Sequence, residues 1–316
     1  MTKWENLGLL FNTEDLKKID ENLSFAKSPQ AIVKEKSVIF YFTSQVKDKN
    51  NKWLSRPYWV EFDQNLTSII RYSSEHILDV GDLGTFDEHG IFPFSVTATE
   101  DGYTAYTTGW SRRSSVDIDM SIGMATSKDG YHFKKCYPGP IMSSNYSEPF
   151  MVGDAFVRAF NGQWHMWYIF GDRWLTKTSQ KIPQRHYKIA KATSDDRVSW
   201  SRSGHFIIDP VRKEECQALP SVAYYRGKYH MIFCHRDVFD FRLGGERAYK
   251  LGYASSSDLT SWVRDDTFFE GSVLRREWDL EMQCYPNLFV LNNELYCAYN
   301  GNNFGENGFG VAKIKF

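Results

Sequence analysis

Residues 122–133, IGMATSKDGYHF, return as residues 189–200, IAKATSDDRVSW, and again as residues 251–262, LGYASSSDLTSW. Each copy reads as an apolar strand, a Ser-x-Asp turn and a closing aromatic. A hairpin stands ahead of each: SVTATEDGYTAYTTGW from Ser95, FVRAFNGQWHMWYIFGDRW from Phe156 and SVAYYRGKYHMIFCHRD from Ser221. A fourth hairpin, LFVLNNELYCAYNGN from Leu288, precedes a truncated GVAKIKF from Gly310. The turn residues Gly102, Gly162, Gly227 and Asn293 recur every sixty to sixty-six residues. A period of that length holds one four-stranded antiparallel sheet, and such sheets cannot bury their faces alone. They stack radially, as the blades of a β-propeller.

Phasing the repeat predicts inner strands starting near Pro29, Pro93, Ala155, Pro220 and Pro286, hence an all-β, five-bladed β-propeller in one domain over residues 1–316. In the most divergent copy, Ser28–Val33 fits the inner strand, SVIFYFTS from Ser37 the second and Tyr58–Phe62 the third. The last copy is short by one strand. The N-terminal segment, residues 1–27, is expected to supply it around Leu7 to Phe11, closing the ring and covering a sheet edge. Helix is confined to Thr13–Lys18, with Thr13 as the expected cap.

A net charge of −1 over 316 residues leaves no electrostatic footprint for nucleic acid or an anionic membrane. The N-terminus, MTKWENLGLLFNTEDLKK, lacks the apolar core of a signal peptide, and no apolar run is long enough to span a bilayer. A soluble, cytoplasmic protein is expected. The five cysteines are odd in number and show no CxxC or Cys/His metal spacing, which predicts buried free thiols and neither metal nor cofactor.

Aligning the copies on the proline that opens each inner strand exposes a second repeat. Glu88 lies five residues before Pro93, Glu215 five before Pro220, and Glu281 five before Pro286. Asp87 stands beside Glu88, Asp154 immediately precedes Ala155, and Glu148 lies slightly upstream. Strand starts converge on the central pit of a propeller, so Asp87, Glu88, Asp154, Glu215 and Glu281 are the candidate catalytic carboxylates. Gathered like charges are costly without a use, and a protonated and an ionised carboxyl are the pair that glycosidic chemistry needs. The alternatives are acids that cap turn amides, or a calcium site.

Candidate substrate-binding residues are the aromatics Trp110 and Trp174, with His89, Arg113, Glu148, His235, Arg247 and Asn300, since sugar faces stack on aromatics and hydroxyls take charged hydrogen bonds. The loops Ser111–Asp119, Leu175–Arg185 and Val238–Glu246 are placed to rise over one face and shape the pocket.

GTFDEHGIFP from Gly84, WHMWY from Trp164, YKIAKATSDD from Tyr187 and the run from Glu281 to Asn302 together resemble the five-bladed propeller glycosidase superfamily of arabinanases, invertases and levansucrases. The resemblance is greatest to its branch similar to glycoside hydrolase family 43, whose members often accompany bacterial surface-polysaccharide and nucleotide-sugar genes, and it covers the chain from about Ser28. It implies an Asp-Pro base on the first inner strand, an Asp on another and a Glu shortly before a Pro. This chain has Ser28-Pro29 at the first place, Asp154 at the second and Ala218 two residues before Pro220 at the third, and the invertase Asn-Asp-Pro-Asn is absent. The standard triad does not carry over.

The expectation is therefore a glycosidase-like hydrolase acting on a small glycoside or activated sugar, with a small carbohydrate or nucleotide sugar as ligand and surface-polysaccharide metabolism implied only by the resemblance. A glycoside phosphorylase, with Arg113, Arg173, His235, Arg236 and Arg247 as possible phosphate ligands, and a noncatalytic carbohydrate-binding propeller are the rival readings.

Overall fold

The computed structural model describes residues 3–271 and 277–316. The chain opens with strand β1 (Trp4–Asn12) and helix α1 (Thr13–Ile19). Four-stranded antiparallel meanders follow. The first contains β2 (Ser24–Val33), β3 (Ser37–Lys47), β4 (Trp53–Asp63) and β5 (Ile69–Tyr72), and the second β6 (Gly90–Thr99), β7 (Gly102–Arg112), β8 (Ile118–Ser127) and β9 (Lys134–Lys135). A parallel bridge between Ser55 and Gly90 joins them into one sheet. β10 (Val152–Phe160), β11 (Gln163–Leu175), β12 (Gln184–Ser194) and β13 (Ser201–Phe206) form the third. β14 (Glu215–Tyr225), β15 (Lys228–Asp237), β16 (Lys250–Ser256) and β17 (Val263–Arg264) form the fourth. In the last sheet, β18 (Cys284–Leu291), β19 (Glu294–Asn300) and β20 (Gly308–Ile314) take β1 as their outermost strand.

The β1–β20 pairing runs antiparallel from Trp4 opposite Ile314 to Asn12 opposite Gly308. Gly308 is needed there: its φ is 107°, and a Cβ would lie 1.9 Å from the Phe11 carbonyl oxygen. The helix is capped by Asn12 rather than Thr13. Asn12 Oδ1 accepts the N–H groups of Glu14 and Asp15 at 2.8 and 3.0 Å, and Asp15 returns a bond to the Asn12 N–H. The Thr13 hydroxyl donates instead to the Glu306 carbonyl. Asparagine sits one residue earlier with extended backbone, which is the geometry a cap requires.

The repeated Ser-x-Asp turn has one construction in all three copies. Asp129, Asp196 and Asp258 each hold the serine hydroxyl two residues back at 3.0 Å and accept backbone N–H groups two and three residues ahead. The next residue, Gly130, Arg197 or Leu259, is left-handed. That exposes its carbonyl to the preceding meander, where Tyr41, Tyr106 and Lys191 donate to it at 2.6, 3.1 and 2.7 Å. The closing aromatics follow the same rule. Phe133 packs on Tyr41, Trp200 on Tyr106 and Trp262 on Trp167. The repeat is thus a staple between consecutive sheets, which is why it recurs at sheet spacing.

Four cysteines are buried and Cys136 is partly exposed, all as free thiols. No helix among the described residues is long and apolar enough to cross a membrane.

Candidate active site

Each inner strand breaks register near its start. The shifts fall between Lys27 and Gln30 in β2, Ile91 and Phe94 in β6, Gly153 and Phe156 in β10, Ala218 and Ser221 in β14, and Cys284 and Asn287 in β18. A bulge re-aims the side chain at its centre. The residue before the proline or its counterpart is left-handed at Ser28, Asp154, Leu219 and Tyr285, with φ of 54°, 55°, 48° and 58°, and the Phe92–Pro93 peptide is cis. Non-glycine residues adopt such backbone sparingly, and they concentrate where a side chain must be aimed.

Phe92, Asp154, Leu219 and Tyr285 line one cavity of about 220 Å³. Lys27, beside Ser28, completes the inner-strand contribution. Trp110, Asp117, Arg185, Tyr187 and Tyr249 reach it from strands and loops farther out. Two wider grooves lie among outer strands; one is lined by Asp129, whose carboxylate is engaged within its own turn.

Asp154 is the one carboxyl among the bulge residues. It is buried, its N–H donates to Thr108 Oγ1 at 2.8 Å, and its Oδ2 accepts the Leu219 N–H at 3.4 Å. It has no ion-pair partner among the described residues, and burial pushes its pKa up to about 7. Asp117 is held differently: its Oδ2 lies 2.7 Å from Arg185 Nη1, and its Oδ1 accepts the Ile118 N–H. Behind the wall, the hydroxyls of Tyr187 and Tyr249 are 2.8 Å apart and both accept from Arg236. Among the described residues, no group of three or more His, Cys, Asp or Glu side chains is placed to hold a metal ion.

None of the carboxylates sharing the five-residue offset lines the cavity. Glu215 is buried in the fork of Arg264, with Nη1 at 2.7 Å and Nη2 at 3.2 Å, and accepts from Gln217 at 2.9 Å. Burial opposes its charge, but these bonds win and hold it below the usual glutamate range. Glu88 accepts the Gly84 N–H across a turn, and Asp87 is buried against Lys135 at 2.6 Å. Glu281 is exposed, and its backbone is fixed by Asn302 and Lys250. Five residues before the proline the chain is in the connecting loop, at Glu88 and Glu281, or at the first residue of the strand, at Glu215, ahead of the bulge. One residue before, it has entered the bulge.

The candidate binding residues divide similarly. Trp110 lines the cavity with the His89 ring stacked 5.9 Å from it, while His89 Nδ1 accepts the Arg112 N–H. Glu148 is buried between Tyr168 and Arg202, at 2.6 and 2.9 Å. His235 lies 3.8 Å from Glu215, and burial lowers its pKa to about 4. Arg113 pairs with Asp119, Arg247 with Asp240 and Arg173 with Asp172, and Trp174 packs against the core. Asn300 is a buried staple: its Oδ1 accepts the Ser28 N–H at 2.7 Å, and its Nδ2 donates to the carbonyls of Ala26 and Gly308. Sequence reasoning missed Lys27, Asp117, Arg185, Tyr187, Tyr249 and Tyr285. The signal for Tyr285 was the aromatic immediately before Pro286.

No family model matches the chain. Two uncharacterized proteins of Mycobacterium tuberculosis, from strains CDC 1551 / Oshkosh and ATCC 25618 / H37Rv, are each 29% identical over 248 residues, covering 78% of this chain and 79% of the relative. Among solved structures, a glycoside hydrolase superposes with a TM-score of 0.69 at 15% identity over 96% of both chains. A thermostable family-43 glycoside hydrolase gives 0.65 at 14% identity over 93% of this chain and 90% of the other. The β-1,2-mannobiose phosphorylase of Listeria innocua, in complex with β-1,2-mannobiose, gives 0.68 at 13% identity over 99% and 97%. The chain therefore shares its fold with these glycoside hydrolases and this phosphorylase.

Proposed function

We propose that this chain is a five-bladed propeller enzyme that cleaves the glycosidic bond of a small glycoside or activated sugar, with Asp154 as the acid that protonates the leaving oxygen. The observation that carries this reading is a buried carboxyl, unpaired among the described residues, with a pKa raised to about 7 by burial, in a cavity walled by Trp110, Phe92 and Tyr285. A group with that pKa is half protonated at neutral pH and transfers its proton with little penalty. The cavity has room for about one sugar ring between aromatic walls.

Asp117 lines the same cavity, and Arg185 lies against its carboxylate. One carboxyl buried without an ion-pair partner among the described residues and another held by an arginine form the division of labour that hydrolysis needs: Asp154 donates, and Asp117 activates water. Phosphorolysis is the second reading, favoured by the two cations, Lys27 and Arg185, that line the cavity. There phosphate attacks the anomeric carbon and Asp154 remains the acid. The test is a panel of nitrophenyl glycosides and nucleotide sugars, incubated with and without phosphate and analysed for free sugar and sugar 1-phosphate. Free sugar in phosphate-free buffer supports hydrolysis, and sugar 1-phosphate supports phosphorolysis. A sugar that binds unchanged, with no turnover, supports a noncatalytic binding module.

A further inference from the structure

The cavity and its walls carry more positive charge than they neutralise. Lys27 and Arg185 line it. Arg236 lies behind Tyr187 and Tyr249 and is almost wholly buried. Its guanidinium stands 3.7 Å from the centre of the Phe241 ring, and that of Arg242 stands 4.3 Å from the same ring. Phe241 packs edge-on against Tyr249, a cavity residue, so Arg236 is held behind the cavity wall, whereas Arg242 beside the same ring is exposed.

Against the two lining cations stand the carboxyls of Asp117, which is ion-paired with Arg185, and Asp154. Arg236 is held by two tyrosine hydroxyls and the carbonyls of Asp237 and Val238. Lys27 Nζ donates to Gln45 Oε1 at 3.0 Å and lies 4.2 Å from the Phe25 ring, with no carboxylate partner among the described residues. Burial lowers Lys27 to about 8, and Arg242 adds to the lowering.

Desolvated, mutually repelling cations are unfavourable in the unliganded protein and become favourable once an anion sits among them. We infer that the cavity holds an oxyanion, a phosphoryl or carboxylate group, against the Lys27 ammonium, with Arg185 as the flanking cation. The ligand class is therefore an anionic sugar, or a neutral sugar together with a free oxyanion. This deepens the reading of the cavity as the ligand site and does not depend on the role of Asp154.

Calorimetric titration and thermal-shift measurements with inorganic phosphate, glucuronate, glucose 1-phosphate and glucose, each up to about 10 mM, test it. Lys27→Met keeps the length of the side chain and removes the charge. The expected result is that an anionic probe binds and raises Tm, that K27M weakens its affinity at least about tenfold, and that the unliganded Tm of K27M is equal to or above that of the parent. Lys36→Met, in the β2–β3 turn, should bind as the parent does.

If glucose 1-phosphate or glucuronate binds more tightly than both glucose and free phosphate, the charge belongs to the substrate. If phosphate binds and the charged sugars gain nothing over it, the oxyanion is a separate reactant. Equal binding of glucose and its anionic derivatives, unchanged anion affinity in K27M, or no anion binding at all overturns the inference. Turnover by Asp154→Asn is measured alongside. Lost turnover with normal sugar binding keeps the bond-cleavage reading in place even where anion binding fails.

Discussion

The carboxylate of Asp154 accepts the backbone N–H of Leu219 at 3.4 Å, a bond from the bulge of one inner strand to the bulge of the next. It makes the candidate acid part of the contact between two sheets, so its protonation is linked to stability as well as to chemistry.

Asp154→Asn should lower turnover by about a hundredfold or more. The pKa of Asp154 in the folded protein, about 7, lies above its ordinary value of 3.8. Between those values the folded state holds the extra proton, so this group makes stability fall as pH rises from about 4 to about 7, by about 4 kcal/mol at most. D154N should remove that fall. Thermal melts of both proteins across the range check it, and parallel pH profiles would refute the assignment.

Glu215→Gln and Glu281→Gln should separate. Glu215 is buried in a bidentate pair with Arg264, and breaking such a pair costs about 3–5 kcal/mol. Its carboxyl is held below the usual range, so the stability it contributes is present above the ordinary glutamate pKa and is lost as pH falls through the lowered value. Glu281 is exposed, and its substitution should stay within about 0.5 kcal/mol. Denaturant midpoints measure both, and a specific loss of turnover at full stability in E215Q would return Glu215 to the chemistry.

Asn300→Ala removes three buried hydrogen bonds and leaves the Ser28 N–H and two carbonyls without their partner. A loss of about 3 kcal/mol or more is expected, with sugar affinity unchanged in the folded fraction. Weakened sugar binding at unchanged stability would instead make Asn300 a ligand contact.

Asp117→Asn distinguishes the two nucleophiles. It should abolish hydrolysis, where a base must activate water, and spare phosphorolysis, where the attacking anion needs none. Product analysis in the two buffers reads the outcome.

The repeat 122–133, 189–200 and 251–262 was legible because a Ser-x-Asp turn and its following aromatic are local chemistry with a fixed spacing. The three copies form the same hydrogen bonds. The proline anchors were legible too, since a proline at a strand start limits the backbone on both sides. From them the sequence by itself determined the all-β class, the sheet-length period and the placement of Asp154 at a strand start. Only the tertiary structure decided which acids share a space. Whether a carboxylate faces a cavity or an arginine depends on the bulge that rotates it and on partners distant in sequence: Arg264 for Glu215, forty-nine residues away, and Leu219 for Asp154, sixty-five away. The cation cluster around Lys27 was hidden for the same reason. Lys27 and Arg185, which line the cavity, come from the first and third sheets, with Arg236 of the fourth behind the wall, and no local pattern records that folding brings them together.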